Sequence, residues 1–77
     1  MKITGTRSYM RVHMDDGRIV KIDGELVVGG FAAESQSIKE WEHPAGVPID
    51  EKTKAYIIRK VLEESAKDTS YLKITFE

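Results

Sequence analysis

Residues 10–23 read Met10-Arg11-Val12-His13-Met14-Asp15-Asp16-Gly17-Arg18-Ile19-Val20-Lys21-Ile22-Asp23, and their pattern decides the fold. Met10, Val12 and Met14 alternate with Arg11 and His13, the period of two of a strand with one buried face. Asp16-Gly17 follows, a hairpin signal because tight turns need residues that tolerate positive φ. The return run, Arg18 to Asp23, alternates again and sets Val20 and Ile22 on the same apolar face. Two such runs joined by Asp-Gly predict an antiparallel hairpin.

Asp23-Gly24 repeats the turn chemistry before Glu25-Leu26-Val27-Val28, so a third strand and a β-meander are expected. Gly29-Gly30 breaks that strand in a turn or bulge, or at a place where another backbone approaches closely. A double glycine can also cradle a phosphate, but only where it leads directly into a helix. Here Phe31-Ala32-Ala33-Glu34 follows, which reads as a fourth short strand. Ser35-Gln36-Ser37 is turn-like, and Ile38-Lys39-Glu40-Trp41-Glu42 alternates as a fifth strand could. His43-Pro44-Ala45-Gly46-Val47-Pro48 is a loop, since its prolines and glycine forbid both helix and central strand.

Asp50 is a good N-cap, with Ile49 before it as a hydrophobic staple. Ile57, Ile58, Val61 and Leu62 then form one stripe, continued by Ser65 or Ala66, which predicts an amphipathic helix. Glu51 near its start and Lys67 near its end suit the helix dipole, and its end is expected near residues 67–69. The last segment, residues 71–76, alternates as a strand with Leu72, Ile74 and Phe76 inward. That strand is expected beside the first one or at the centre of the sheet. The fold class is α+β: an antiparallel sheet of about five strands with one helix on one face, in the order ββββ(β)αβ.

The chain has 77 residues and no cysteine, so residues 1–77 are expected to form a single domain. Folding at this size buries roughly 60% of the unfolded chain's surface. Disulfides and thiolate metal sites are excluded. No apolar run approaches the ~20 residues of a membrane span, and Met1–Arg7 lacks the hydrophobic stretch of a secretory signal. A cytoplasmic protein with no membrane partner is expected.

The formal net charge is -1, whereas dedicated nucleic-acid binders carry a clear basic excess. The charge is unevenly spread. Residues 25–51 hold Glu25, Glu34, Glu40, Glu42, Asp50 and Glu51 against Lys39 alone, while the segments on either side each carry a basic excess. This acidic middle is either a solvated loop region or a device for partner choice.

No catalytic set emerges. His13 alternates with the apolar face and should point to solvent; His43 precedes a proline in the loop. They lack metal-ligand spacing. Asp15 and Asp16 sit at a hairpin tip, where turn chemistry explains them. Ser35 and Ser37 have no base at a spacing that would activate them. Neither catalytic residues, a metal nor a cofactor is expected. Trp41, the only tryptophan, lies between Glu40 and Glu42. It either plugs the sheet edge or anchors a partner, with the glutamates as a steering rim.

Several segments together carry a wider resemblance. They are Met1-Lys2-Ile3-Thr4 with Thr6-Arg7-Ser8-Tyr9, Asp16-Gly17-Arg18, Lys21-Ile22-Asp23-Gly24-Glu25-Leu26 and Gly30-Phe31. Further along come Ser37-Ile38-Lys39, Trp41-Glu42, Pro44, Pro48-Ile49 and Ile57-Ile58-Arg59-Lys60-Val61-Leu62-Glu63. Over nearly its whole length the chain resembles the immunity protein 74 family of bacterial polymorphic toxin systems. The resemblance implies a cytoplasmic protein that binds and neutralises a cognate toxin domain, with no catalytic residues. A toxin that attacks nucleic acid tends to be basic, and Glu34, Glu40, Trp41 and Glu42 would form the surface that meets it. Two other readings stay open: a module that self-associates into a homo-oligomer through a strand edge, and a small metal-dependent hydrolase using Asp15, Asp16 or His43.

Overall fold

A computed structural model describes residues 1–67 and 73–77 of the chain. Its strands are β1 (Lys2–Gly5), β2 (Tyr9–His13), β3 (Ile19–Val27), β4 (Gly30–Ala33) and β5 (Lys73–Phe76), with one helix, α1 (Glu51–Lys67). The spatial order is β1-β2-β3-β4-β5, and the class is α+β.

The first hairpin forms as its pattern dictates. Met10 pairs with Ile22 and Val12 with Val20, and all four side chains are buried. In its loop the Gly17 N–H donates to the Met14 carbonyl at 3.1 Å. Gly17 there takes φ 93°, a value that L side chains rarely adopt. Lys2–Gly5 adds a strand the sequence reading lacked. It places Ile3 opposite Val12, but a four-residue strand with one inward apolar side chain shows little alternation.

Asp23-Gly24 is not a turn. β3 runs straight through it and changes partner there: Ile19–Asp23 pair with β2, Gly24–Val27 with β4. A Cβ on Gly24 would lie 2.6 Å from Cε2 of Phe31 and closer still to the Ala32 carbonyl oxygen. This glycine is needed for close approach, not for a turn. Because β3 serves both halves, the sheet curls, and Ile3 and Ile74 on its two edge strands line one concave groove.

The fifth strand expected over Ile38–Glu42 does not form; Ser35–Ser37 is a single 3-10 turn and Glu40 makes only an isolated bridge to Pro48. The last strand lies neither beside β1 nor at the centre. β5 pairs parallel to β4 at the far edge, so the sheet is mixed. A helical crossover returns the chain in the direction of the strand that preceded it, which makes the pair parallel. Gly30, without a Cβ, admits the backbone of Lys73. Of the three side chains expected inward, Ile74 and Phe76 are half-buried and pack on the core; Leu72 lies outside the described residues.

The helix starts where its cap predicts. The Thr53 N–H donates to Oδ1 of Asp50 at 2.7 Å, satisfying one of the free amides of the first turn. The position a staple would contact is Lys54, and Ile49 packs on the core instead. The buried stripe is narrower than the pattern suggests. Ile57 and Val61 are fully buried, whereas Leu62 is exposed, being turned about 100° from Val61 around the helix axis.

Replacing Gly24 by alanine should cost about 3 kcal/mol, since a methyl group is forced into a filled site. Gly17→Ala strains only the backbone and should cost about 1 kcal/mol. Chemical denaturation of the two variants checks the order; equal losses would contradict the crossing geometry.

Candidate functional site

The chain from Glu34 to Ile49 builds the outer surface beside β3. The Glu34 N–H donates to the Asp23 carbonyl at 2.8 Å. Ser37 Oγ donates to the Glu34 carbonyl at 2.6 Å and accepts from the Asp23 N–H at 3.0 Å. Ser35 Oγ donates to the Glu77 carbonyl at 2.6 Å. Both serines are thus occupied in fastening backbone. Beyond them the loop closes on itself: the Trp41 N–H donates to the Val47 carbonyl at 2.9 Å, and the Ile49 N–H to the Lys39 carbonyl at 2.9 Å. The Glu42 N–H donates to the Ile19 carbonyl at 2.8 Å, tying the loop to β3.

This stitching sinks Trp41 into the core at 4% exposure. The Arg18 guanidinium lies over its ring, 4.3 Å from the centroid. Trp41 borders a shallow open depression, lined also by Lys21, Asp23, Lys39, Glu40 and Glu42. Three of the four residues expected to meet a partner, Glu40, Trp41 and Glu42, therefore share one surface. Glu34 is exposed beyond it, bonded through its backbone to Asp23.

Electrostatics here differ from those of the linear sequence. Glu42 holds Arg11 through two bonds, Nε–Oε1 at 2.6 Å and Nη2–Oε2 at 3.3 Å. The same guanidinium sits 4.8 Å from the centroid of Tyr9, with Lys21 Nζ 4.5 Å from that ring. The hydrogen bond from Arg11, helped by the charges of Arg11, Lys21 and His13, holds the Glu42 carboxyl below the usual glutamate value. Glu34 and Glu40 have no ion pair among the described residues. Sequence reasoning missed Arg11, Tyr9 and Lys21. The alternation that buried Met10 and Val12 already placed Tyr9 and Arg11 on the outer face, but nothing in it linked Arg11 to a glutamate 31 residues away.

The residues considered for metal chemistry are spread differently. Asp15 pairs with the Met1 amine, and Asp16 accepts from Arg18 Nε at 2.7 Å. His13 and His43 flank Ile19 from opposite sides, each bridged to it through backbone. That places their backbones two strand spacings apart, about 10 Å. Among the described residues, no three of His, Asp and Glu gather into a group that could hold a metal ion. No helix among them is long and apolar enough to cross a membrane.

A family model, immunity protein 74, matches residues 2–77. The chain belongs to the immunity protein 74 family. No curated protein and no solved structure matches it. Membership gives the chain an immunity role in general and implies a toxin protein as its partner.

Acid should act on this surface through its carboxylates. Hydrogen bonding holds Glu42, Asp16 and Asp50 below their ordinary values, from Arg11, the Arg18 amide and the Thr53 amide respectively. Groups depressed in the folded state add stability above the unfolded values, about 4, and lose it as pH falls through the lower folded ones. Stability should therefore be level near neutrality and decline below about pH 4. In urea titrations from pH 7 to 3, Glu42→Gln should show a shallower acid decline than the parent. Parallel declines would mean the pair with Arg11 is screened to no effect, as many exposed pairs are.

Proposed function

We propose that the chain is the immunity partner of a toxin domain, which it binds in the cytoplasm of the producing cell and neutralises by protein–protein contact, without catalysis. Membership of the immunity protein 74 family over residues 2–77 carries this reading. The contact surface includes Glu34, Glu40, Trp41 and Glu42. In it the free carboxylates of Glu34 and Glu40 supply the field that a basic toxin domain meets first, such as one that attacks nucleic acid. Glu42, neutralised by Arg11, fixes the shape of the rim rather than its charge. Trp41, buried beneath this surface, holds the loop rigid, which lowers the ordering cost of binding.

Neutralisation by this route needs only that the bound protein covers the toxin's working surface. Complementary charge then sets the speed of capture more than its final strength. Glu34→Lys combined with Glu40→Lys should slow association with the cognate toxin domain about tenfold at low ionic strength. It should also flatten the salt dependence of the rate, leaving dissociation nearly unchanged. Stopped-flow or surface-based kinetics at several salt concentrations test this; an unchanged rate would move the contact surface elsewhere.

A further inference from the structure

The tip of the β3–β4 hairpin carries three consecutive exposed apolar side chains, Leu26 and Val27 at 45% exposure and Val28 at 105%. The turn itself does not ask for them. Val28 has negative φ, as every described non-glycine residue does, and Gly29 takes φ 80°, the combination of a type II turn. The first central position of such a turn accepts proline or polar residues equally well. A valine there that touches nothing adds nothing to the core, and water penalises its exposure.

The surroundings of the tip define what would cover it. Val27, Gly30 and Lys73 share one cross-strand row, and Leu26, Phe31 and Ile74 the next. Leu26 also lines the concave groove with Ile3, Met10, Phe31 and Ile74, so apolar surface runs inward from the tip. The Leu26 N–H donates to the Arg7 carbonyl at 3.0 Å, which sets Arg7 beside it. Neither Arg7 nor Lys73 has an ion pair among the described residues. Among the described residues, the tip is an apolar projection flanked by two cations without ion pairs, and Glu25 precedes it on the same strand.

Three side chains offer at most a few hundred Å², well short of the ~800 Å² per partner that a stable complex buries. Two tips meeting across a dimer axis would also bring like charges together. A convex tip of this kind fits a concave site. We infer that Leu26, Val27 and Val28 form a plug that enters an apolar cleft on the toxin domain, with carboxylates on the cleft's rim to meet Arg7 and Lys73. This rests on the immunity reading and adds a second contact to it. Val28 lies seven residues along the chain from Lys21 in the Trp41 depression, about 23 Å in extended chain, so the two contacts can be tested separately.

The test uses the whole chain and the purified C-terminal domain of any toxic exported protein found encoded beside it. Val28→Asp should keep the parent's melting temperature, because the side chain is fully exposed. It should weaken binding at least tenfold, as loss of a central apolar anchor does, through faster dissociation that salt does not rescue. Val28→Thr should fall between the two. Parent-like affinity in Val28→Asp would overturn the plug while leaving the immunity reading intact. If the folded parent itself fails to bind the toxin domain, the immunity reading falls and the plug with it. A parent dimer, seen by light scattering and dissolved by Val28→Asp, would assign the tip to self-association and overturn its role toward the toxin.

Discussion

The backbone of β3 passes so close to Phe31 and the Ala32 carbonyl that only a residue without a Cβ fits at position 24. Through that point one strand leaves its pairing with β2 and takes up its pairing with β4. The curl of the sheet follows, because three strands lie on each side of the crossing and β3 belongs to both. It also determines where the surface features sit. Asp23, immediately before the crossing, fastens Glu34 and Ser37 through its backbone, and the loop carrying Trp41 starts from that anchor. Beyond the crossing, β3 continues outward to the exposed tip at Val28.

Charge is organised by the same folding. The acidic middle of the sequence and the basic segment before it do not face the solvent as two poles. They meet, Glu42 against Arg11, with Arg11 and Lys21 both placed on the ring of Tyr9. Exposed pairs of this sort contribute little to stability, but they set which carboxylates remain available. Among the described residues, Asp23, Glu34 and Glu40 near the depression have no ion pair, nor do Arg7 and Lys73 near the hairpin tip.

Much of the architecture was legible wherever local pattern and tertiary packing agree. The 10–22 hairpin, the Phe31–Ala33 strand and the helix capped by Asp50 all announce themselves within a few residues. Asp23-Gly24 misled because the same dipeptide serves for a tight turn and for close approach of two backbones, and only the position of Phe31 tells them apart. The Ile38–Glu42 alternation misled because Trp41 turns inward to the core while its flanking glutamates stay out, without a neighbouring strand to pair with. The parallel placement of β5 depends on how the helix crosses the sheet, which no local signal carries. The pairing of Arg11 with Glu42 was hidden for the same reason: it joins elements brought together only by the whole fold.

Native-state hydrogen exchange tests most directly whether one strand binds both halves into a single unit. Amides in β2 and the first half of β3 should open with the same free energy as those in β4, and respond in parallel to added denaturant. If β4 and β5 exchanged through a separate, lower-energy opening while the 10–22 hairpin stayed protected, the crossing at Gly24 would not hold the molecule together.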